Sequence, residues 1–221
     1  MGLVEREFSQ EDLIQIFNKL IELESLFINE VKIFIQIGGE KGHLHTMDLY
    51  TSAVINRAIS LMKGFVTLSK DNNYISSIPL IRIQLDNCIR FYAATLVSDY
   101  NEFFLNYLKG IHIRNLKDVS GKKMTDSYLI SKLDKLFPGI QKLYNNTSGY
   151  IHLSNEHSNL QTTLSKTETR EINTLIGHYD FYSLNQKVDF GFNMFKASEI
   201  LLDLTRSWKF QKQKVEKGIK S

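Results

Sequence analysis

Proline is nearly missing. Pro79 and Pro138 are the two in 221 residues, so long stretches run without a helix breaker and long helices are favoured. A sandwich or barrel would need many more turn residues. Cysteine is as scarce: Cys88 stands alone in an apolar segment. It cannot form an internal disulfide, and a free thiol suits a reducing compartment. No apolar run is clean enough to span a membrane, because the strongest, Ile78 to Val97, carries Arg82, Asp86 and Arg90. Met1 to Ser9 is charged and lacks a signal-peptide core. The cytoplasm is therefore the expected location, and no membrane partner is expected. An excess of one charge is lacking too: the net formal charge of +3 names no partner.

Motifs that specify a reaction are also absent. There is no G-x-S-x-G, H-E-x-x-H or dinucleotide fingerprint. His43 and His45 lie two apart, His152 and His157 five apart, and neither spacing is a familiar zinc pattern. One cysteine cannot complete a thiolate site, so no metal and no cofactor is expected. Gly38-Gly39-Glu40-Lys41-Gly42 lacks the Gly-Lys-Ser/Thr order of a phosphate loop and follows a helical pattern, so a helix stop explains it better.

What is present is helical periodicity. Hydrophobic residues at 43% and charged residues at 23% suit a folded chain. With no internal repeat or low-complexity linker, one domain over residues 1–221 is expected. Leu13, Phe17, Leu20, Leu23, Phe27, Val31 and Phe34 recur at steps of three and four and predict a helix from about Ser9, a plausible N-cap, to Ile37. The same spacing predicts a second helix from Thr46 to near Leu68. A third is predicted from around Ser77 to about Ser98, with Pro79 in its first turn. Asp99 caps a short helix ending at Gly110, and Thr125 caps another that breaks before Pro138. A further helix runs toward His152, loosened by Gly149. Alternation at Leu160, Thr162 and Leu164, and again at Ile172, Thr174 and Ile176, predicts a small hairpin at about 158–178. A last helix runs from about Ser183 to Gly218. The expected fold is all-α, an up-and-down bundle of long helices.

Charge is uneven along the chain. Acids dominate up to Lys32, whereas the end carries Arg206, Lys209, Lys212, Lys214, Lys217 and Lys220 against Glu216. A basic helical end can meet nucleic acid, but a solvated terminus whose cations suit the helix dipole is the simpler expectation.

The third helix breaks its own pattern. Ile81, Leu85, Cys88, Ile89, Tyr92 and Leu96 make a wide apolar face, which predicts a place near the bundle centre. Yet Arg82, Asp86 and Arg90 form one ladder at i,i+4 spacing. An isolated buried charge costs several kcal/mol, so these groups must be paired or face a cleft. One reading is a structural Arg–Asp–Arg network or a surface ladder. The other is a cleft whose guanidinium groups meet a phosphate or carboxylate. A second candidate is the segment 145–157, where Ser148 and His152 share a helix face and Ser154 and His157 follow. Histidine titrates near neutrality and can transfer protons, though a lone histidine at a helix end is more often a cap or a packed, hydrogen-bonded side chain.

Two of these segments resemble a known group. "SIPLIRIQLDNCIRFYAATLV" resembles the helix carrying Arg, three residues and then an acid in uncharacterised bacterial all-helical proteins related to the HEPN superfamily. "LYNNTSGYIHLSNEHS" resembles their later Ser-x-x-x-His-x-Ser segment. The resemblance covers about residues 75–157 and implies a helical fold, often dimeric, among ribonucleases and toxins of bacterial defence. It matches Arg82, Asp86, His152 and Ser154. Active members carry an Arg followed four to six residues later by His, and no arginine here has that spacing.

Two functional readings follow. In the first, the protein acts on or binds RNA. Arg82 positions a phosphate and His152 serves as general acid/base in a metal-independent ribonuclease, with Asp86, Arg90, Ser148, Ser154 and His157 binding or supporting. In the second, it is a non-catalytic module that pairs with itself or with a partner protein.

Overall fold

The computed structural model describes residues 7–37, 43–151, 162–164, 172–174 and 182–217. The fold is an all-α helical bundle. Its elements are α1 (Gln10–Gln36), α2 (Thr46–Lys70), α3 (Tyr74–Ala94), α4 (Tyr100–Leu108), α5 (Asp126–Asp134), α6 (Ile140–Ser148) and α7 (Leu184–Glu216), with a 3₁₀ turn at Ile113–Asn115. The expected hairpin is present as two antiparallel strands, β1 (Thr162–Leu164) and β2 (Ile172–Thr174), with Thr163 opposite Asn173.

Local chemistry sets most of the ends. Ser9 and Asp12 form a reciprocal capping box on α1, Asp99 accepts the amides of Asn101 and Glu102 at the start of α4, and Thr125 accepts from Tyr128 on α5. The third helix departs from expectation. It starts at Tyr74 and ends at Ala94, capped by Asn73 through the Ser76 amide, which leaves Pro79 inside the helix rather than in its first turn. The reason is tertiary. Tyr74, Ser77 and Ile78 are fully buried, with Tyr74 edge-on to Tyr182, and that burial holds an extra turn despite the hydrogen bond proline cannot donate.

α3 is the central helix. It packs on α2 and α7 and receives α5 and α6, while α1 lies against α2 and α7. α2 and α3 are joined by only three residues, 71–73, so they run antiparallel. Ile81, Leu85, Cys88, Ile89 and Phe91 are sealed in a core that runs from Leu13 to Trp208. Burial pushes the Cys88 thiol far above its ordinary pKa, so it is an inert packing group. At Gly191 a Cβ would stand 2.8 Å from Ile16 Cγ2, so α1 and α7 approach as closely as they do because that side chain is missing.

Part of the basic end is built into the bundle, while Lys214 and Lys217 are exposed. Lys212 and Asp48 are each 0% exposed and lie 2.8 Å apart. Lys212 Nζ also donates to the Phe34 carbonyl at 2.8 Å, and Trp208 Nε1 donates to the other Asp48 oxygen at 2.8 Å. One turn earlier, Arg206 and Lys209 clasp the buried Glu30 of α1 at 3.2 and 2.7 Å. Glu30 of α1 and Asp48 of α2 thus tie three cations of α7 into the bundle.

Candidate anion-binding groove

The charged residues of α3 do not form the single ladder their spacing suggests. Asp86 pairs with Arg90 at 3.1 Å, but its second partner is Arg57 of α2, at 3.5 Å, rather than Arg82. Arg90 reaches across to Asp126 on α5 at 2.7 Å. Burial works against its charge, yet Asp86 and Asp126 together raise its pKa further. Arg90 and Asp86 are therefore paired with each other and, across helices, with Asp126 and Arg57, not with Arg82 as an Arg–Asp–Arg ladder would have it.

Arg82 behaves differently. Its guanidinium carbon lies 3.4 Å from the centre of the Tyr144 ring, and its Nε donates one long bond of 3.5 Å to Ser148 Oγ. Among the described residues, no carboxylate stands within ion-pair distance of it. Ser148 is fixed in turn by donating to the Tyr144 carbonyl at 2.8 Å. The i,i+4 pair Tyr144 and Ser148 thus presents a ring and a hydroxyl to one guanidinium, which is what sets its direction. Burial raises the Tyr144 pKa although Arg82 opposes the rise, so the phenol stays neutral under the cation.

Arg82 opens on a cleft of about 230 Å³ shared with Arg57, Asp86, Ser148 and Ile151. Arg57 also lines a second cleft, about 450 Å³, whose walls hold Asn87, Arg90, Tyr107, His112, Arg114 and Asp126. The two clefts share the Arg57 side chain as a common wall and are taken together as the candidate groove beside α2 and α3. Its named charged side chains are four arginines and two aspartates, and both aspartates are already held by arginines.

Arg57 is anchored from beneath. Its Nη1 donates to Asn87 Oδ1 at 2.6 Å, Asn87 donates to Gln84 at 3.1 Å, and Gln84 donates to Ser198 of α7 at 2.9 Å. Asn87 and Gln84 are buried. This polar relay crosses the core and gives the exposed guanidinium a fixed root, since buried amides are costly unless bonded.

Of the sequence-expected residues, Arg82, Asp86, Arg90 and Ser148 come together. His152, Ser154 and His157 lie outside the described residues. Arg57, Asn87, Tyr107, His112, Arg114, Asp126 and Tyr144 were not foreseen. Arg57 carries no local signal, whereas the Lys- and Gly-rich character of 110–124 was visible without saying where it packs. Among the described residues no group of His, Cys, Asp and Glu could hold a metal ion, and no helix is long and apolar enough to cross a membrane. Comparison with family models, curated proteins and solved structures finds no match.

Proposed function

We propose that this chain is a HEPN-like helical module that binds single-stranded RNA along the α2–α3 groove. The observation that carries the reading is Arg82: a guanidinium held over the Tyr144 ring, without a carboxylate partner among the described residues, and open to a cleft it shares with Arg57. Arg90 shows what a structural arginine looks like in this fold, bracketed by two carboxylates. Arg82 and Arg57 keep donors for an incoming anion, and a phosphate diester fits a guanidinium fork. The neighbouring cleft adds the exposed ring of Tyr107 beside Arg114 and His112, and aromatic faces next to cations suit unpaired bases better than a duplex. Binding is the proposed step. The imidazole that shares the groove with the arginines is His112, which supplies the first candidate for proton transfer to test beside His152.

The test is fluorescence anisotropy with a labelled single-stranded RNA, run against salt. Removing Arg57 and Arg82 together should weaken binding at least tenfold and flatten the log K against log salt slope by about 0.7 per lost phosphate contact. Unchanged affinity and slope in that double variant would overturn the reading. Incubation with total RNA, comparing wild type with Arg82→Ala and His112→Ala, tells whether cleavage accompanies binding.

A second reading, self-association without catalysis, has its own observation. Ile14, Ile21, Ile28 and Ile35 are all exposed on α1 and follow one another at seven-residue steps, the period that seats one helix on another. Sedimentation at tens of micromolar checks it: a dimer that Ile21→Asp and Ile28→Asp dissolve supports it, a strict monomer removes it.

A further inference from the structure

One wall of the Arg82 cleft is an acid. Asp86 stands there with Arg57, Arg82 and Ser148, and Ile83 and Ile151 complete the lining. An acid beside a phosphate site should repel the ligand, but its surroundings remove that cost. Asp86 Oδ1 lies 3.1 Å from Arg90 Nη2, and Oδ2 lies 3.5 Å from Arg57 Nη1. Its charge is therefore met from both sides. Arg90 is in turn tied to Asp126 of α5 at 2.7 Å, so the cation that neutralises Oδ1 has a root of its own.

What those cations cancel is charge, not acceptor capacity. A carboxylate offers about four lone-pair sites, and here each oxygen faces one guanidinium, loosely at Oδ2. The Asp86 side chain is 25% exposed, so it is open to what enters the cleft. Neighbouring acceptors are more fully used. Ser148 gives its proton to the Tyr144 carbonyl at 2.8 Å and meets Arg82 Nε, and its neutral oxygen is the weaker acceptor. Asp126 takes the Tyr144 hydroxyl at 3.4 Å besides Arg90. Asn87 Oδ1 is occupied by Arg57 Nη1 at 2.6 Å. Asp86 is the strong acceptor in the cleft that Arg82 opens on.

We propose that Asp86 reads the sugar: its carboxylate accepts the 2′-hydroxyl of the nucleotide whose phosphate Arg82 and Arg57 hold, so the groove selects ribose over deoxyribose. The inference rests on the RNA reading and adds to it the residue that tells RNA from DNA. In RNA the 2′-hydroxyl sits on the carbon next to the one that carries the 3′-phosphate. Donor and phosphate thus arrive side by side, as the carboxylate and the guanidinium groups stand side by side in the cleft. A guanidinium accepts no hydrogen bond, so a hydroxyl beside this phosphate needs the acid. The O–H···O⁻ bond it makes is a strong one, and the 2′-hydroxyl is the group by which a protein distinguishes the two nucleic acids. A deoxyribose would displace water from the carboxylate and return no donor.

The experiment is fluorescence anisotropy of the full chain with one single-stranded sequence made three ways: with ribose, with deoxyribose and with 2′-fluororibose. The fluoro sugar keeps the ribose pucker but has no proton to donate, which separates hydrogen bonding from backbone shape. Wild type should bind the ribose strand about fivefold or more tighter than either of the others, as one hydrogen bond to a charged group implies. Asp86→Ala should bring the three affinities together, even though removing a negative charge raises all of them. An aspartate that served only the fold would move the three in step and leave their ratio alone. Circular dichroism checks the fold, and Asp86→Asn, which keeps the shape and gives up the charge, should also lower the ratio. Equal binding of the three strands by wild type would overturn the inference while the RNA reading stands. A ribose preference that survives in Asp86→Ala puts the reader of the hydroxyl elsewhere and overturns it too. No binding of any strand removes the RNA reading, and this inference with it.

Discussion

At the Trp208 end of the bundle Lys212 and Asp48 are closed off from water, each bonded on several sides. On the α2–α3 face Arg82 rests on a tyrosine ring and looks outward. Both places put charge on helices that belong to the core, yet they solve the desolvation problem differently. The closed end supplies a partner for each charge from another helix. The groove pairs some of its charges, Arg90 with Asp86 and Asp126, and leaves Arg82 and half-exposed Arg57 with donors to offer. A charge that is fully paired holds the fold together, while one that is half paired and wet is available to a ligand.

The largest effect should come from breaking the closed end. Lys212→Met strands the Asp48 carboxylate in the core and should cost about 3–5 kcal/mol in urea unfolding, whereas Lys212→Met with Asp48→Leu should recover much of it. A loss below about 1 kcal/mol would mean that water reaches the pair after all. Within the groove the contrast sharpens. Arg90→Ala leaves Asp126 without its cation and Asp86 with Arg57 alone and should cost about 1–3 kcal/mol, but Arg82→Ala gives up a ring contact and one long bond and should cost less than about 1 kcal/mol. The same unfolding curves decide it, and equal losses would erase the distinction between structural and available arginines.

The smallest effect concerns His45 and Glu216, 3.0 Å apart beside Trp208. The His45 hydrogen bond lowers the Glu216 pKa below its ordinary value. The sign follows: the contact stabilises fully above the unfolded glutamate value of about 4.3 and is lost as pH falls through the lower folded value. Carboxyl chemical shifts should place the Glu216 midpoint below that of an ordinary glutamate, and His45→Ala should move it back up.

Much of the architecture was legible because it is local. The apolar stripe of α1, the Ser9, Asp99 and Thr125 caps and the alternating residues that become β1 and β2 each declare themselves within a few residues. The start of α3 did not, since Tyr74 is helical on account of what it packs against. Of the groove, Arg82, Asp86, Arg90 and Ser148 could be named from spacing. Asp86 was expected to join Arg82, and Arg57, from another helix, takes that place instead. The basic terminus misled in part for the same reason: Lys214 and Lys217 are exposed as a lysine run suggests, but Lys209 and Lys212 meet Glu30 and Asp48 from other helices.

By itself, then, the sequence determined that the chain is helical, where most of its helices begin, and that α3 is central with charge on an oily face. Periodicity and capping are nearest-neighbour physics, and they need no knowledge of the rest of the chain. Only tertiary structure decided which charges are partnered. An ion pair depends on the distance and dielectric between groups far apart in sequence, and those are fixed when α2, α5, α6 and α7 close around α3.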